Sequence, residues 1–423
     1  MDYEAFKTKF QIRLDPQQQE AVCSTGFPVL LLAVPGSGKT TVLITRLGYL
    51  LYCCGVRPDQ ILTMTYTVAA TNDMRRRFCS RFGAEWEGKL AFRTINGVCA
   101  SILRRYEQMT GGHAFELITD EGKLNGLLGE LYHKHTEEFA TEPELRELRT
   151  KITYIKNQML SGEELAELKL ENGGMLKPIY LDYCAAMRAN RWMDFDDQMV
   201  YALQILRQYP DLLASFRNKF RYLCVDEAQD TSRIQHCIIR LLAGDGRGLF
   251  MVGDEDQSIY GFRAACPDAL MQFEDDHPGA RVLFLETNYR CSPQIVSLAN
   301  QFIRQNTARR DKQMRAASPA GLPVQIWRCK DRKAQYHALA QLAADVARGK
   351  QTGTTAVLYR DNDSAIPLID LLQRAGLPYR TRASEGSFFS SRIVRDVTDF
   401  LHLALDPKDS YAFLRIYYKM TGI

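Results

Sequence analysis

An α/β fold built on a parallel sheet, with an all-helical stretch set into it, is the class this sequence predicts. Three observations carry the prediction. A buried-strand pattern over residues 27–34 runs through a glycine-rich turn into a helical run from Lys39 to Tyr52, and a second strand pattern follows over 61–66. Strand, glycine turn, helix, strand is the order of a parallel βαβ unit. Residues 119–190 are helical and heavily charged, with no run of β-branched residues, and the strand–helix alternation resumes after them.

In the first segment a helical stretch containing Met74 and Phe78 follows the second strand. In the charged stretch, Thr141 with Glu144 and Ser161 with Glu164 have the spacing of capping boxes and mark two helix starts. Beyond it, strand patterns fall at 222–225, 249–252, 282–285, 324–327 and 355–359, with helical stretches at 334–346 and 365–375. Residues 317–323 hold two prolines and a glycine and read as a loop; no internal repeat stands out.

At about 150 residues per domain, 423 residues suggest roughly three domains. A chain 46% hydrophobic and 25% charged is not a disordered chain, a collagen-like fibre or a small disulfide scaffold. No uninterrupted apolar stretch is long enough for a transmembrane helix, so no membrane partner is expected. Residues 1–10 mix Asp2, Glu4, Lys7 and Lys9 and carry no secretory h-region. The 11 cysteines are odd in number, scattered and free of C-x-x-C pairs. They read as thiols packed in apolar surroundings in a reducing cytoplasm, and not as metal ligands. A net charge of +4 leaves a nucleic-acid groove open, because Lys and Arg need only cluster locally.

Ala33-Val34-Pro35-Gly36-Ser37-Gly38-Lys39-Thr40 sits between a buried strand and a helix. Glycines there let backbone N–H groups face phosphate oxygens at a helix N-terminus. Lys39 is the candidate for the β- and γ-phosphates, and Thr40 for Mg²⁺. The plainer alternative is a glycine turn that only joins strand to helix. Ala33 stands where the usual pattern has glycine, which a negative φ permits.

Tyr222-Leu223-Cys224-Val225 leads into Asp226-Glu227-Ala228-Gln229-Asp230. A buried strand ending in Asp-Glu is how phosphate-loop ATPases place a metal-binding carboxylate beside the nucleotide. Asp226 is the candidate for Mg²⁺ through water, and Glu227 for orienting or deprotonating the attacking water. Together the two motifs imply hydrolysis of a nucleoside triphosphate with Mg²⁺.

Val252-Gly253-Asp254-Glu255-Asp256-Gln257-Ser258-Ile259-Tyr260-Gly261-Phe262-Arg263 is long and unusual. With it the chain resembles the UvrD/Rep/PcrA-type superfamily 1 DNA helicases. Other segments agree in the family's order. Leu14-Asp15-Pro16-Gln17-Gln18 resembles the glutamine motif that reads adenine, and Thr65-Tyr66-Thr67 resembles motif Ia. Met193-Asp194-Phe195-Asp196-Asp197 matches a segment that follows the helical insertion, and residues 225–230 match motif II. Leu285-Glu286-Thr287-Asn288-Tyr289-Arg290 matches motif IV, and Val357-Leu358-Tyr359-Arg360 and Phe388-Phe389 fit the second motor domain.

The resemblance implies a RecA-like motor domain over 1–108 and 192–278, a helical insertion over 109–191, and a second RecA-like domain over 279–423, incomplete at its end. It implies that Gln257 senses the γ-phosphate, that Arg290 is an arginine finger entering from the second domain, and that Tyr289 stacks on adenine. A surface amide, a solvated arginine and a core tyrosine are the plainer readings. That the nucleotide is ATP is implied by the resemblance, and Gln18 and Thr41 complete the implied ATP site. For single-stranded DNA, bases stack on aromatics and cations follow the backbone. Tyr66, Tyr260 and Phe262 are the stacking candidates, with Arg263, Thr67, Thr94 and Asn96 beside them. The basic run Arg304, Arg309, Arg310, Lys312 and Arg315 reads as a solvated helix face in preference to a phosphate track.

The chain departs from the family pattern at several points. Val68-Ala69 stand for Asn-Lys, Thr94-Ile95-Asn96 for Thr-Phe-His, Phe262 for Trp, and Thr41 for an arginine over the adenine. Motifs V and VI are absent, and residues 412–423 resemble the segment before a second insertion. The leading expectation is an ATP-dependent 3′–5′ helicase and translocase in repair or replication, acting on single-stranded and partial-duplex DNA in the cytoplasm. A C-terminal half outside this chain, or a protein partner supplying it, goes with that expectation. The alternatives are a split module that binds ATP and DNA with little hydrolysis, or a helicase-like subunit of a recombination helicase–nuclease complex.

Overall fold

A computed structural model describes residues 1–113, 115–349, 353–381, 392–410, 413 and 416–417. Two compact units divide the chain, Met1–Val324 and Gln325–Ile423.

The first unit is organised by β1 (Val29–Ala33), β2 (Ile61–Thr65), β3 (Ala91–Thr94), β4 (Glu116–Leu117), β5 (Trp192–Met193), β6 (Tyr222–Val225), β7 (Leu249–Gly253) and β8 (Arg281–Leu285). Six of these form one parallel sheet in the order β3-β2-β6-β7-β1-β8. Every residue of β1, β2 and β7 is buried, because helices cover both faces. Alternate residues feed two cores. Leu30, Leu62, Val225 and Met251 pack against the helices Ile95–Thr110, Phe195–Gln208 and Arg233–Ala243. Leu31, Ile61, Cys224 and Phe250 face the helices Lys39–Tyr52 and Val68–Phe82. The fully buried Arg46 donates to the carbonyls of Ala21 and Val22, both at 3.1 Å. It thereby caps the C-terminal end of the helix Pro16–Cys23.

The insertion leaves and re-enters through a two-residue parallel ladder, β4 with β5. Its helices Glu121–Thr136, Glu142–Gln158, Gly162–Glu167 and Leu176–Ala189 bury a core of their own around Leu128, Leu148, Ile152 and Leu176. The Thr141–Glu144 capping box forms. The expected Ser161–Glu164 box does not: the helix starts on Gly162 at φ +55°, which turns the chain away from box geometry.

Three further expectations are corrected. Arg281–Leu285, expected within a second motor domain, is an edge strand of the first sheet, laddered residue by residue on β1. The phosphate-loop strand is buried on both faces, so its backbone groups need partners on both edges. The patterns at 324–327 and 355–359 form no strand among the described residues, and Ile326 and Leu358 stand almost fully exposed. An apolar run becomes a strand only where a neighbour supplies its ladder. The described elements of the second unit are helical, Arg332–Ala347, Ile366–Arg374 and Arg392–Leu405, with a 3₁₀ turn Asn362–Ala365. Phe388-Phe389 and most of 412–423 lie outside the described residues. No helix among the described residues is long and apolar enough to cross a membrane.

Candidate functional site

In a parallel α/β sheet, ligands gather at the carboxyl ends of the strands. Here those ends divide the work. β1, β6 and β7 lead into the phosphate loop, the Asp226-Glu227 pair and the 254–257 turn, while β2 and β3 lead into Tyr66 and Thr94.

On the phosphate-loop side, Gly36 and Gly38 adopt φ +70° and +86°, which lets residues 33–41 curl round the start of the helix Lys39–Tyr52. The Ser37 hydroxyl donates to the Val34 carbonyl at 2.7 Å and holds the loop closed. Lys39 Nζ lies 3.1 Å from Glu227 Oε2. Glu227 itself sits at φ +50°, a strained conformation for a residue with a side chain, two residues past the end of β6. Burial works to raise its pKa, but Lys39 and the Gln229 amide outweigh it and hold the carboxyl below the usual range. Asp226 behaves oppositely: burial, reinforced by Glu227, pushes it up to about 6.

The Asp226 Oδ1 is buried with no hydrogen-bond partner in the protein. A divalent cation would satisfy it, so the donor set of Asp226 and Thr40 fits Mg²⁺ completed by phosphate oxygens and water. Among the described residues no three His, Cys, Asp or Glu side chains group to hold a metal by themselves. Two of the thiols, Cys99 and Cys224, are fully buried, while Cys54 and Cys329 are exposed.

Gln18, the expected adenine reader, is braced at both ends of its amide. Oε1 accepts from the Asp15 N–H at 3.1 Å and Nε2 donates to the Ser37 carbonyl at 2.9 Å. Tyr289 is half exposed, and its hydroxyl donates to Asp15 Oδ2 at 2.5 Å. Burial and this bond push the phenol up to about 12. Asp15 thus joins the glutamine motif to Tyr289 and leaves an aromatic face open beside the loop.

Arg290, expected to enter from a second domain, belongs to the first unit. It follows β8 closely, and a Cβ added to Gly36 would come within 2.8 Å of the Arg290 Cβ. The reason is Asn288, nearly fully buried, which donates to the Pro35 carbonyl at 2.8 Å and accepts from the N–H groups of Arg290 and Cys291. Gln229 makes the matching link on the other side. Its Nε2 donates to Glu227 and its Oε1 accepts from the Asp254 N–H. Gln257 donates to Asp254 Oδ2.

On the other half of the sheet edge, Tyr66, Thr94, Asn96 and Phe262 line one cleft of about 680 Å³, closed on its far side by Arg146, Arg149, Thr150 and Thr153 of the insertion. The Thr67 and Thr94 hydroxyls are used as N-caps, accepting from Ala70 and Gly97 N–H, so two long helices start there with their positive ends at the cleft. Asn96 Oδ1 is buried without a hydrogen-bond partner. Tyr260 stands behind Phe262, ring centroids 5.9 Å apart. The Arg263 side chain lies outside the described residues.

A buried polar knot fastens the insertion to the body below this cleft. Lys156 lies 2.7 Å from both Asp194 and Asp197. Thr153 and Asn157 donate to the two oxygens of Asp196, and Ser232 donates to Asn157 Oδ1 at 2.8 Å. The chain from Asp226 to Ser232 therefore reaches the insertion directly.

The basic run is corrected in part: Arg304 and Arg315 are exposed as expected, and its middle is not. Arg309 and Lys312 are neither a solvated face nor a phosphate track; both are buried or nearly so against Asp254, Glu255 and Asp256. Asn288, Gln229, Arg309 and Lys312, together with the insertion's Arg146 and Arg149, are the site residues that sequence reasoning missed. Asn288 and Gln229 lay inside motifs already recognised, and their place three or four residues past the end of a buried or edge strand was their one available signal.

Residues 14–278 match the family model of the UvrD/REP helicase N-terminal domain, and residues 283–422 match that of the UvrD-like helicase C-terminal domain. The chain is 32% identical over 410 residues to the ATP-dependent DNA helicase PcrA of Bacillus subtilis (strain 168), covering 95% of this chain and 54% of that protein. It is 30% identical over 406 residues to PcrA of Staphylococcus epidermidis (strain ATCC 12228), covering 95% and 55%. The chain spans about half the length of the curated relatives it matches.

Proposed function

The chain belongs to the UvrD/REP helicase family, and from that premise we propose that it forms the ATP-hydrolysing, DNA-gripping part of a 3′–5′ single-stranded DNA translocase. The observation that carries this reading is the division of one sheet edge. The Lys39–Glu227 pair and the orphaned Asp226 oxygen lie over β1 and β6, and the Tyr66–Thr94–Phe262 cleft lies over β2 and β3. The β7 turn joins them, since it carries Gln257 on the nucleotide side and Phe262 on the DNA side.

In this reading ATP·Mg²⁺ is held by residues 33–41, Asp226 and Tyr289. Glu227 orients water, and Gln257 and Arg290 meet the terminal phosphate. Bases stack on Phe262 and Tyr66, while the phosphate backbone runs past Arg146 and Arg149. Single-stranded and partial-duplex DNA are the substrates, repair or replication is the setting, and the cytoplasm is the compartment. The direction of stepping follows from the family alone.

The test is Mg²⁺-dependent ATP hydrolysis with and without oligo(dT). Oligo(dT) is expected to stimulate turnover. Phe262→Ala is expected to weaken oligo(dT) binding about tenfold, within the roughly 1–3 kcal/mol measured per stacked base. Strand displacement on 3′- against 5′-tailed duplexes reads the direction. Nucleotide and DNA binding with no hydrolysis would favour the split-module reading. An oligo(dT) affinity untouched by Phe262→Ala would remove the cleft as the DNA site.

A further inference from the structure

Residues 309–317 run as a strap between two loops of the nucleotide site. At one end the Arg309 guanidinium makes a fork with Asp256, Nε to Oδ1 at 2.9 Å and Nη2 to Oδ2 at 2.7 Å. Lys312 Nζ lies 2.6 Å from Asp254 Oδ1, 2.6 Å from Glu255 Oε2 and 3.3 Å from Asp256 Oδ2. The Arg310 N–H adds a bond to Glu255 Oε1 at 3.1 Å. Lys312 and Asp254 are both buried from solvent.

At the other end the strap joins the loop that holds the phosphate loop. The Gln313 N–H donates to the Glu286 carboxylate at 3.2 Å, the Arg315 N–H to the Glu286 carbonyl at 2.8 Å, and the Ala317 N–H to the Asn288 carbonyl at 2.9 Å. Asn288 in turn donates to the Pro35 carbonyl. The strap therefore spans from the turn carrying Gln257 to the residue that seats the phosphate loop.

Burying a lysine and three carboxylates is expensive, and a well-packed apolar contact of the same volume would stabilise the fold as well or better. What the charged arrangement adds is geometry, because each Asp254–Asp256 carboxylate is fixed from two directions. Asp254 is the residue that accepts from the Gln257 amide.

We propose that Arg309 and Lys312 are positioning residues that hold the 254–257 turn where Gln257 meets the terminal phosphate of a nucleoside triphosphate, with residues 313–317 setting the distance of that turn from the phosphate loop. This rests on the ATP-dependent reading above and names how that site tells triphosphate from diphosphate. It does not require turnover.

The experiment measures, on the whole chain with Mg²⁺, the affinities for ADP and for a non-hydrolysable ATP analogue, and takes their ratio. Arg309→Ala is the primary variant, because its side chain is 13% exposed and Lys312 still faces Asp256 at 3.3 Å without it. The triphosphate preference is expected to fall about tenfold, the size of one lost charge-assisted hydrogen bond, with ADP affinity changed less than about twofold. Arg309→Lys should restore part of the preference, and Gln257→Ala should reproduce the loss. Lys312→Arg, which keeps the charge but not the fit, should lie between.

A preference unchanged in Arg309→Ala but lost in Gln257→Ala overturns the strap. Equal weakening of both nucleotides with a lowered melting temperature also overturns it, since that is a merely structural role. No effect of Gln257→Ala removes the sensor, and the strap with it, while leaving ATP hydrolysis to be judged on its own assay. Failure of the unsubstituted chain to bind either nucleotide overturns the functional reading and the strap together.

Discussion

Lys39→Ala is expected to lower ATP turnover by about a thousandfold or more, the scale on which a phosphate-directed cation contributes to phosphoryl transfer. Its ammonium is the cation that the phosphate loop aims over the start of the helix Lys39–Tyr52, and it lies 3.1 Å from Glu227. Two effects add. The terminal phosphates lose their cation, and Glu227 loses the charge that offsets its burial, so its carboxyl rises toward the protonated form and orients water less well. The fold should hardly notice. The Glu227 side chain is 44% exposed, and an ion pair that open contributes about 1 kcal/mol or less. The signature is thus a collapse of steady-state hydrolysis with an unchanged melting curve. Turnover within tenfold of the unsubstituted chain would show that the loop does not hold the reacting phosphate.

Lys156→Met should do the reverse, costing stability of about 3–5 kcal/mol, because it strands two buried carboxylates without their cation. Lys156 is 3% exposed, and Asp194 and Asp197 are nearly as deep. The pH dependence gives the sign. In the unsubstituted chain burial works to raise both carboxyls; Lys156 and the surrounding hydrogen bonds hold Asp194 below the usual range, while burial keeps Asp197 above it even with Lys156 opposing. A carboxyl with a depressed folded pKa lends stability above its unfolded pKa and loses it as pH falls toward the folded one. Without Lys156, burial prevails, the folded pKa rises, and protonation relieves the stranded charge. The deficit of Lys156→Met should therefore be largest near neutral pH and shrink on acidification toward pH 4. Urea unfolding at several pH values reads it. A deficit that stays constant across that range would mean that Lys156 contributes packing and not charge.

Some of this architecture is legible in the chain and some is not, for identifiable reasons. β6 and the helix Lys39–Tyr52 begin and end where the pattern puts them, because a short apolar strand buried over Leu223, Cys224 and Val225 and a glycine-led helix each carry a local signature. β3 is not visible as a strand. It is an edge strand in which only Phe92 is fully buried, and Arg93 interrupts its apolar run. The patterns at 324–327 and 355–359 look like β6 in sequence but find no ladder among the described residues. Ser161 has the spacing of a cap and the wrong backbone beside it. Arg309 and Lys312 look like solvent-facing cations because nothing adjacent in sequence announces three carboxylates more than fifty residues away.

The sequence by itself determined the chemistry on offer: a glycine loop with Lys39 and Thr40, a strand ending in Asp226-Glu227, a turn with Gln257, and aromatics at Tyr66 and Phe262. These are contiguous patterns, and contiguous patterns follow from backbone conformation and periodicity over a few residues. Only the tertiary structure decided that β8 closes the phosphate-loop edge, that Arg290 reaches Gly36 from the same unit, and that Arg146 and Arg149 of the insertion line one cleft with Tyr66 and Phe262. It alone decided that Asn288 seats Pro35 and Lys312 steadies Asp254. Such contacts join residues far apart in the chain. Their free energy comes from burial and from complementary charge at close range, which exist only once the sheet has brought those segments together.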